Sequence, residues 1–296
     1  MNLSDHIKLV EGKVEAAYQT ILAVAEDREF KGIQMRCIWK LVDTCIIPII
    51  TYACETWEPN KQEIKKLNQI LDKILRRILM TPDSTPRQAL YIETGMLDIE
   101  TIIDKKRLNM MGRLKNDRSR MMDIVLNNPQ CKWKKRTDDI MEKYGIFEWE
   151  LAEEKWYTKQ LIINKTRELF HNKMEIIPEG RTKIVHFLEG KGEWKAEEAA
   201  EYMNKMTRKQ ASIIFKTRTR MIKVKGNYKN GHQDQVCRAC GNAEETQKHA
   251  LTECPVIHPN GTTLRRIVDP FSDNINVLKE TAQNISSIIE ELNSNR

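Results

Sequence analysis

The spacing Cys237-x2-Cys240-x8-His249-x4-Cys254 puts four ligand-type side chains within 18 residues of a chain that holds only seven Cys and six His. A two-residue spacer brings the Cys237 and Cys240 sulfurs to one point in a tight knuckle. The four residues between His249 and Cys254 let the imidazole sit on a short helix and the thiol just beyond its end, where Pro255 blocks continuation. Three thiols and one imidazole are the number and kind of ligands that close a tetrahedral shell around Zn²⁺. Four protein ligands leave no position for water or substrate, so the pattern reads as a structural site rather than a catalytic one. In so small a module, metal binding supplies on the order of 10 kcal/mol of folding free energy. Cysteines also serve as small apolar core residues, but His249 stands at the expected place in a polar stretch. Disulfides are the other competing use, and an odd cysteine count without a signal-peptide pattern argues against them. The expectation is a reducing, intracellular compartment, cytoplasm or nucleus.

Around this module the chain reads as mostly α. Charged residues make up 31% and aromatics 6%, and the apolar residues recur at steps of three and four. No apolar run approaches the roughly 20 residues that span a bilayer; the longest candidate, Cys45 to Ile50, is broken by Pro48. Ile7, Val10, Val14, Ala17, Ile21 and Val24 mark a first helix face, and Met35, Ile38, Trp39, Val42 and Ile46 a second, starting near Lys31 and expected to stop at Pro48. Asn60 and Glu63 form a capping box that opens a long helix with Leu67, Leu71, Ile74, Leu75 and Ile78 inward and Arg76 and Arg77 outward. Thr85-Pro86 opens a short helix that Gly95 ends, and Asp98 caps the next. Beyond Asp117 the pattern weakens, and Pro129 marks a boundary. Residues 130 to 190 read as a helical spacer, with Asp138-Asp139 as a helix start and a turn at Pro178 to Gly180.

Thr207 and Gln210 give a further capping box, and the stretch from Thr207 to Lys229 then carries eight basic residues and no acidic one: Arg208, Lys209, Lys216, Arg218, Arg220, Lys223, Lys225 and Lys229. Solvated helix faces mix signs, so an unbalanced run leading into the cysteine pair points to phosphate contact. The net charge of +7 agrees with a polyanionic partner. Arg238, inside the knuckle, is placed to meet single-stranded bases. Asn260-Gly261 reads as a turn, and a last amphipathic helix from about Asn274 to Leu292 closes the chain.

Two stretches together suggest a family. Tyr52-Ala-Cys-Glu-Thr-Trp57, the run Leu67 to Leu79 and Ala89-Leu-Tyr-Ile-Glu-Thr-Gly95 resemble the region downstream of the catalytic core in reverse transcriptases of non-long-terminal-repeat retrotransposons. Phe215-Lys-Thr-Arg-Thr-Arg-Met221, Cys237-Arg-Ala-Cys240 and Glu245 to Pro255 resemble the C-terminal zinc-knuckle segment of the same proteins. The resemblance runs from about residue 5 to 258 and is weakest in the middle. The residues themselves read as a helical spacer at 128–206 and the amphipathic helix at 259–296, and the resemblance implies a thumb-like helical bundle at 1–127 and a basic helix plus CCHC zinc knuckle at 207–258. It further implies Cys237, Cys240, His249 and Cys254 as ligands of a structural Zn²⁺, and Arg76, Arg77 and the 208–229 run as backbone contacts to RNA or DNA. Polymerase chemistry needs carboxylates that hold two Mg²⁺ ions, and the family's aromatic-x-Asp-Asp hairpin has no counterpart, since Arg136-Thr137 precede Asp138-Asp139. The expectation is therefore a nucleic-acid-binding segment without catalysis of its own, any polymerase palm being supplied in cis or in trans. Two alternatives stay open: a zinc-stabilised helical protein-interaction module, and one part of a larger RNA-directed DNA polymerase.

Overall fold

Apolar stripes at helical spacing need a shared core, and the chain answers them with helices alone. The computed structural model describes residues 3–26, 33–116, 124, 127–128, 130–177, 182–227, 235–259 and 267–294. Lys31, Asp117, Pro129, Pro178 to Gly180, Lys229 and Asn260-Gly261 lie outside the described residues. Among those described there are twelve α-helices, no strand, and two isolated bridges, Gln34 with Thr207 and Val236 with Glu244. No described helix is long and apolar enough to cross a membrane.

Helix α1 (Leu3–Glu26) lays Ile7, Val10, Val14, Tyr18 and Ile21 into the main core, while Val24 is exposed. Helix α2 (Met35–Leu41) does not stop at Pro48 as its sequence suggests. It widens into a π turn at Val42–Ile46 and resumes as α3 (Ile47–Ile50), with Pro48 in the first turn of the new segment. Proline is tolerated there because a first-turn N–H has no partner to lose. The expected inward residues of this arm, from Met35 to Ile46, are all buried. Cys54 follows, fully buried, and burial pushes its thiol up to about 11, which leaves it unreactive.

Helix α4 (Lys61–Ile78) starts on the expected capping box. Asn60 Oδ1 accepts from the Gln62 and Glu63 N–H groups, and Glu63 Oε2 accepts from the Asn60 N–H at 2.9 Å. Helix α5 (Arg87–Thr94) ends at Gly95, whose φ of +68° suits glycine. Gly95 also lets another backbone approach. A Cβ there would stand 2.4 Å from the Glu198 carbonyl carbon, and the Ala200 N–H donates to Glu93 O at 2.9 Å. Helix α6 (Ile99–Asn116) is capped by Asp98, which accepts from the Thr101 N–H.

Helix α7 (Lys132–Tyr144) begins five residues earlier than Thr137, so Asp138-Asp139 lies inside it rather than at its start; Asp138 pairs with Lys134 one turn back. Helices α7 and α8 (Lys155–Glu175) build a satellite core with α6 from Leu108, Met111, Ile140, Tyr144, Leu151 and Ile162. The rest of the central segment joins the main core. Phe170 and Met174 of α8, Ile184 and Phe187 of α9 (Thr182–Gly190), Tyr202 and Met203 of α10 (Glu201–Lys205), and Ala211, Ile214 and Phe215 of α11 (Arg208–Arg218) all pack with α1 to α5. Apolar packing thus runs continuously across positions 127/128 and 206/207. Helix α12 (Ile275–Ser294) contributes Leu278 and Ala282 to the same core.

A buried charge cluster locks these segments together. Glu93, fully buried, receives Arg218 Nη1 at 3.0 Å, with Lys191 Nζ at 3.4 Å. Arg218 also donates to Pro270 O at 2.7 Å and lies over the Tyr202 and Phe271 rings. Burial alone would raise the Glu93 carboxyl; Arg218 and Lys191 outweigh it and hold the group below its ordinary value of 4.5. The stabilisation is therefore complete above that ordinary value and is lost as pH falls through the folded-state value. Removing one partner strands the other in the interior, at about 3–5 kcal/mol. Arg218→Met is expected to lower the thermal midpoint sharply and to flatten the acid limb of a stability–pH profile. An unchanged midpoint would show that the pair adds nothing to the fold.

Candidate metal centre and its basic approach

The knuckle is built by a short hairpin. The Cys237 N–H donates to Ala243 O at 2.7 Å, the Glu245 N–H to Gln235 O at 2.8 Å, and the Gly241 N–H back to Cys237 O at 2.9 Å. Gly241 takes φ +68°, a left-handed turn that carries the chain back beneath Cys240. The second ligand pair rides on a single π turn, His249–Glu253. Its closing hydrogen bond runs from the Cys254 N–H to His249 O at 2.8 Å, so the four-residue spacing is bridged by an i to i+5 bond between the two ligands themselves. Thr246 Oγ1 accepts from the His249 N–H and starts the turn.

These elements converge the four side chains. One ligand atom from each of Cys237, Cys240, His249 and Cys254 lies within 4.8 Å of the other three. The Cys237 and Cys254 sulfurs are 3.9 Å apart, and Cys240 Sγ is 3.4 Å from His249 Nε2. Two sulfurs bound at about 2.3 Å to one tetrahedral ion stand about 3.8 Å apart, so the donor set and its spacing fit a tetrahedral metal ion. Backbone N–H groups of Asn242 and Ala243, with His249, pull Cys240 down to about 6, whereas burial pushes Cys237 up to about 11. Cys237 thus needs a cation beside it to become the thiolate that ligation requires.

Glu245 secures the module to the chain on either side. Its carboxylate is fully buried and accepts from the Lys225 N–H at 2.9 Å, the Arg238 N–H at 3.0 Å and the Arg238 guanidinium at 2.6 Å. Burial raises this carboxyl, and Arg238 with the backbone donors brings it below the ordinary value. Arg238 Nη1 continues to Asn293 Oδ1 on α12 at 2.9 Å. Beneath the site, Ile222, Val224, Ala250, Leu251 and Ile257 pack on Ile285, Ile288 and Leu292 of α12. Glu245 opens the stretch that carries the resemblance, but nothing in the sequence marked it as the clamp between Arg238 and Lys225.

The structure divides the expected phosphate contacts into two groups. All of the expected arginines except Arg220 are engaged by groups of the protein itself. Arg208 donates to Ile78 O and Arg77 O, closing the C-terminus of α4. Arg77 forms a two-pronged pair with Glu15 and lies over Tyr18, and Arg76 donates to Thr85 O. Arg218 holds Glu93 and Arg238 holds Glu245. Lys225 Nζ donates to Val236 O. Lys209, Arg220 and Lys223 are exposed, and Lys216 is half-buried with its ammonium pKa lowered by burial. Lys209 and Lys216, seven residues apart, share one face of α11. Lys229 lies outside the described residues.

Cys240→Ser and His249→Ala are each expected to bring bound metal below one ion per chain, measured by atomic emission on purified protein; a full equivalent retained in both would remove these residues from the ligand set. Arg238→Ala is expected to cost about 3 kcal/mol of stability through the stranded Glu245 carboxylate, read by chemical denaturation. Compared with protein-family models, with curated proteins and with solved structures, the chain matches none.

Proposed function

We propose that this chain binds RNA or single-stranded DNA through a lysine-bearing surface that a structural Zn²⁺ holds in place, in the manner implied by its resemblance to the C-terminal region of non-long-terminal-repeat reverse transcriptases. Zn²⁺ is the ion this donor set suits, because three thiolates and an imidazole disfavour hard, oxygen-seeking cations. Four ligands close the shell, so its part is to fold the knuckle, with Cys237, Cys240, His249 and Cys254 holding it. The observation that carries the reading is the split within the basic run: Arg218 is neutralised by Glu93 and Arg208 is engaged by the carbonyls that end α4, whereas Lys209, Lys216, Arg220 and Lys223 have no carboxylate partner among the described residues. Cations left over after the fold has taken its share are available to phosphates. Any polymerase chemistry belongs to a palm supplied in cis or in trans.

A protein-interaction module is the second reading, and one observation favours it. Phe147 and Trp149 are exposed and stacked with their planes 10° apart, and Trp156 and Tyr157 are exposed on the next helix.

Fluorescence anisotropy of the full chain on single-stranded RNA, titrated at several salt concentrations, tests the first reading. Four phosphates neutralised on a single strand give a slope of log K against log salt near about −3, and stripping the zinc is expected to weaken binding. Stoichiometric zinc with no binding at low salt would leave the protein-interaction reading.

A further inference from the structure

A cavity of about 640 Å³ opens between α6 and the start of α8. A volume of this size falls within the about 300–1,000 Å³ of ligand cavities and accepts a nucleotide-sized group. On the α6 side it is lined by Asn109, Arg113 and Asn116, and on the α8 side by Lys155 and Lys159, one turn apart. The helices touch at its floor, where a Cβ on Gly112 would stand 2.8 Å from Thr158 Cγ2. Arg113, Lys155 and Lys159 are exposed and have no carboxylate partner among the described residues, and no carboxylate lines the cavity. The acids of the preceding turn do not fill that gap. Glu148 pairs with Lys115, Glu150 accepts from the Phe147 N–H, and the exposed Glu153 and Glu154 take no part in the lining. Like charges one turn apart on a helix repel, and Lys155 also stands at the positive end of α8. Three cations therefore face one cavity under mutual repulsion that a polyanion relieves.

The other groups at the cavity narrow the kind of polyanion. Asn109 Nδ2 donates to Lys105 O at 2.7 Å and Asn116 Nδ2 to Gly112 O at 2.8 Å, each one turn back. These bonds use the amide donors, so each Oδ1 is left as an acceptor that a base amino group can reach. Trp156 is 70% exposed and precedes Lys159 by three positions, which makes the two neighbours on the surface of α8. Asn116 also donates to Leu151 O, and Lys115 pairs with Glu148, so the turn that carries the stacked Phe147 and Trp149 is held at the same end of α6. A duplex keeps its bases stacked on one another and away from such rings. A single strand offers phosphates to the cations and unstacked bases to the aromatic faces. Charge alone would also suit an acidic peptide; the rings beside the cations favour the strand.

We propose that the cleft between α6 and α8 is a second contact surface for single-stranded nucleic acid, in which Arg113, Lys155 and Lys159 take phosphates and Trp156 stacks on a base. The occupant rests on the nucleic-acid reading above, and the surface is distinct from the α11 lysines that carry that reading. Fluorescence anisotropy of the full chain on single-stranded RNA across salt concentrations tests it. The triple variant Arg113→Gln/Lys155→Gln/Lys159→Gln is expected to lose about 2 from the salt slope, three contacts at about 0.7 each. Trp156→Ala is expected to weaken binding at least about five-fold with the slope unchanged, and Trp156→Phe to restore most of it, because stacking needs a ring and no charge. On the parent chain, where no substitution intervenes, RNA is expected to slow acylation of Lys155 and Lys159 by an amine-reactive acetyl ester several-fold, read by mass spectrometry, with the exposed Lys8 and Lys13 of α1 unchanged. RNA binding with an unchanged slope in the triple variant, or without protection of Lys155 and Lys159, overturns the cleft and leaves the nucleic-acid reading on α11. A parent chain that binds no RNA at low salt overturns that reading and this occupant with it.

Discussion

One apolar stripe on α12 serves two cores at once. Leu278 and Ala282 pack into the main helical core, and two turns further on Ile285, Ile288 and Leu292 cover the metal-centred module. The ligand cluster has little apolar surface of its own to bury and would fold poorly alone. Packed on this helix, its folding is tied to that of the bundle. Arg238 crosses from the knuckle to Asn293 on the same helix, and Arg218 ties Pro270, just before it, to Glu93. An ion held by the four ligands at one end of the stripe would therefore contribute to order at the other.

Arginine and lysine divide the work within the basic run for a physical reason. A guanidinium presents donors in a planar fork and is weakly hydrated, so it can satisfy a buried carboxylate and several carbonyls together. Arg218 and Arg238 each join a buried carboxylate, Glu93 or Glu245, to a carbonyl, and Arg208 takes two carbonyls at the end of α4. An ammonium is a hydrated point charge and is costly to bury. Lys209 and Lys223 accordingly stay in solvent, and Lys216 is half-buried with its ammonium pKa lowered by burial. The same run thus yields struts and a surface, with Arg220 the exposed arginine and Lys225 the lysine bonded within the protein.

This sorting marks the limit of what the sequence showed. Helix stripes, the capping boxes at Asn60 and Thr207, the cap at Asp98 and the turn at Gly95 depend on neighbours within four residues, and each was legible. The ligand set was legible because its spacing is local and its residue types are scarce. Arg218 and Glu93 are separated by 125 positions, so no local pattern shows that this arginine is neutralised inside the protein. Pro48 misled for the converse reason: its local effect is real, and the π turn before it absorbs that effect within a packed arm.

The coupling through α12 also bears on how a surface of lysines can be controlled. Lys223 and Lys225 lie on the segment that Glu245 clamps, and Lys216 lies on α11, which packs against α12. Without an ion the cluster retains a thiol that burial holds protonated, and the π turn between His249 and Cys254 loses the ligation that fixes its ends. The clamp at Glu245 sits between those ligands, so loosening it frees the 222–227 segment and the charges it carries. On the proposed function, salt-dependent affinity and metal occupancy would then be two readings of one structural state, because Lys223 and Lys225 lie on the segment that the knuckle clamps.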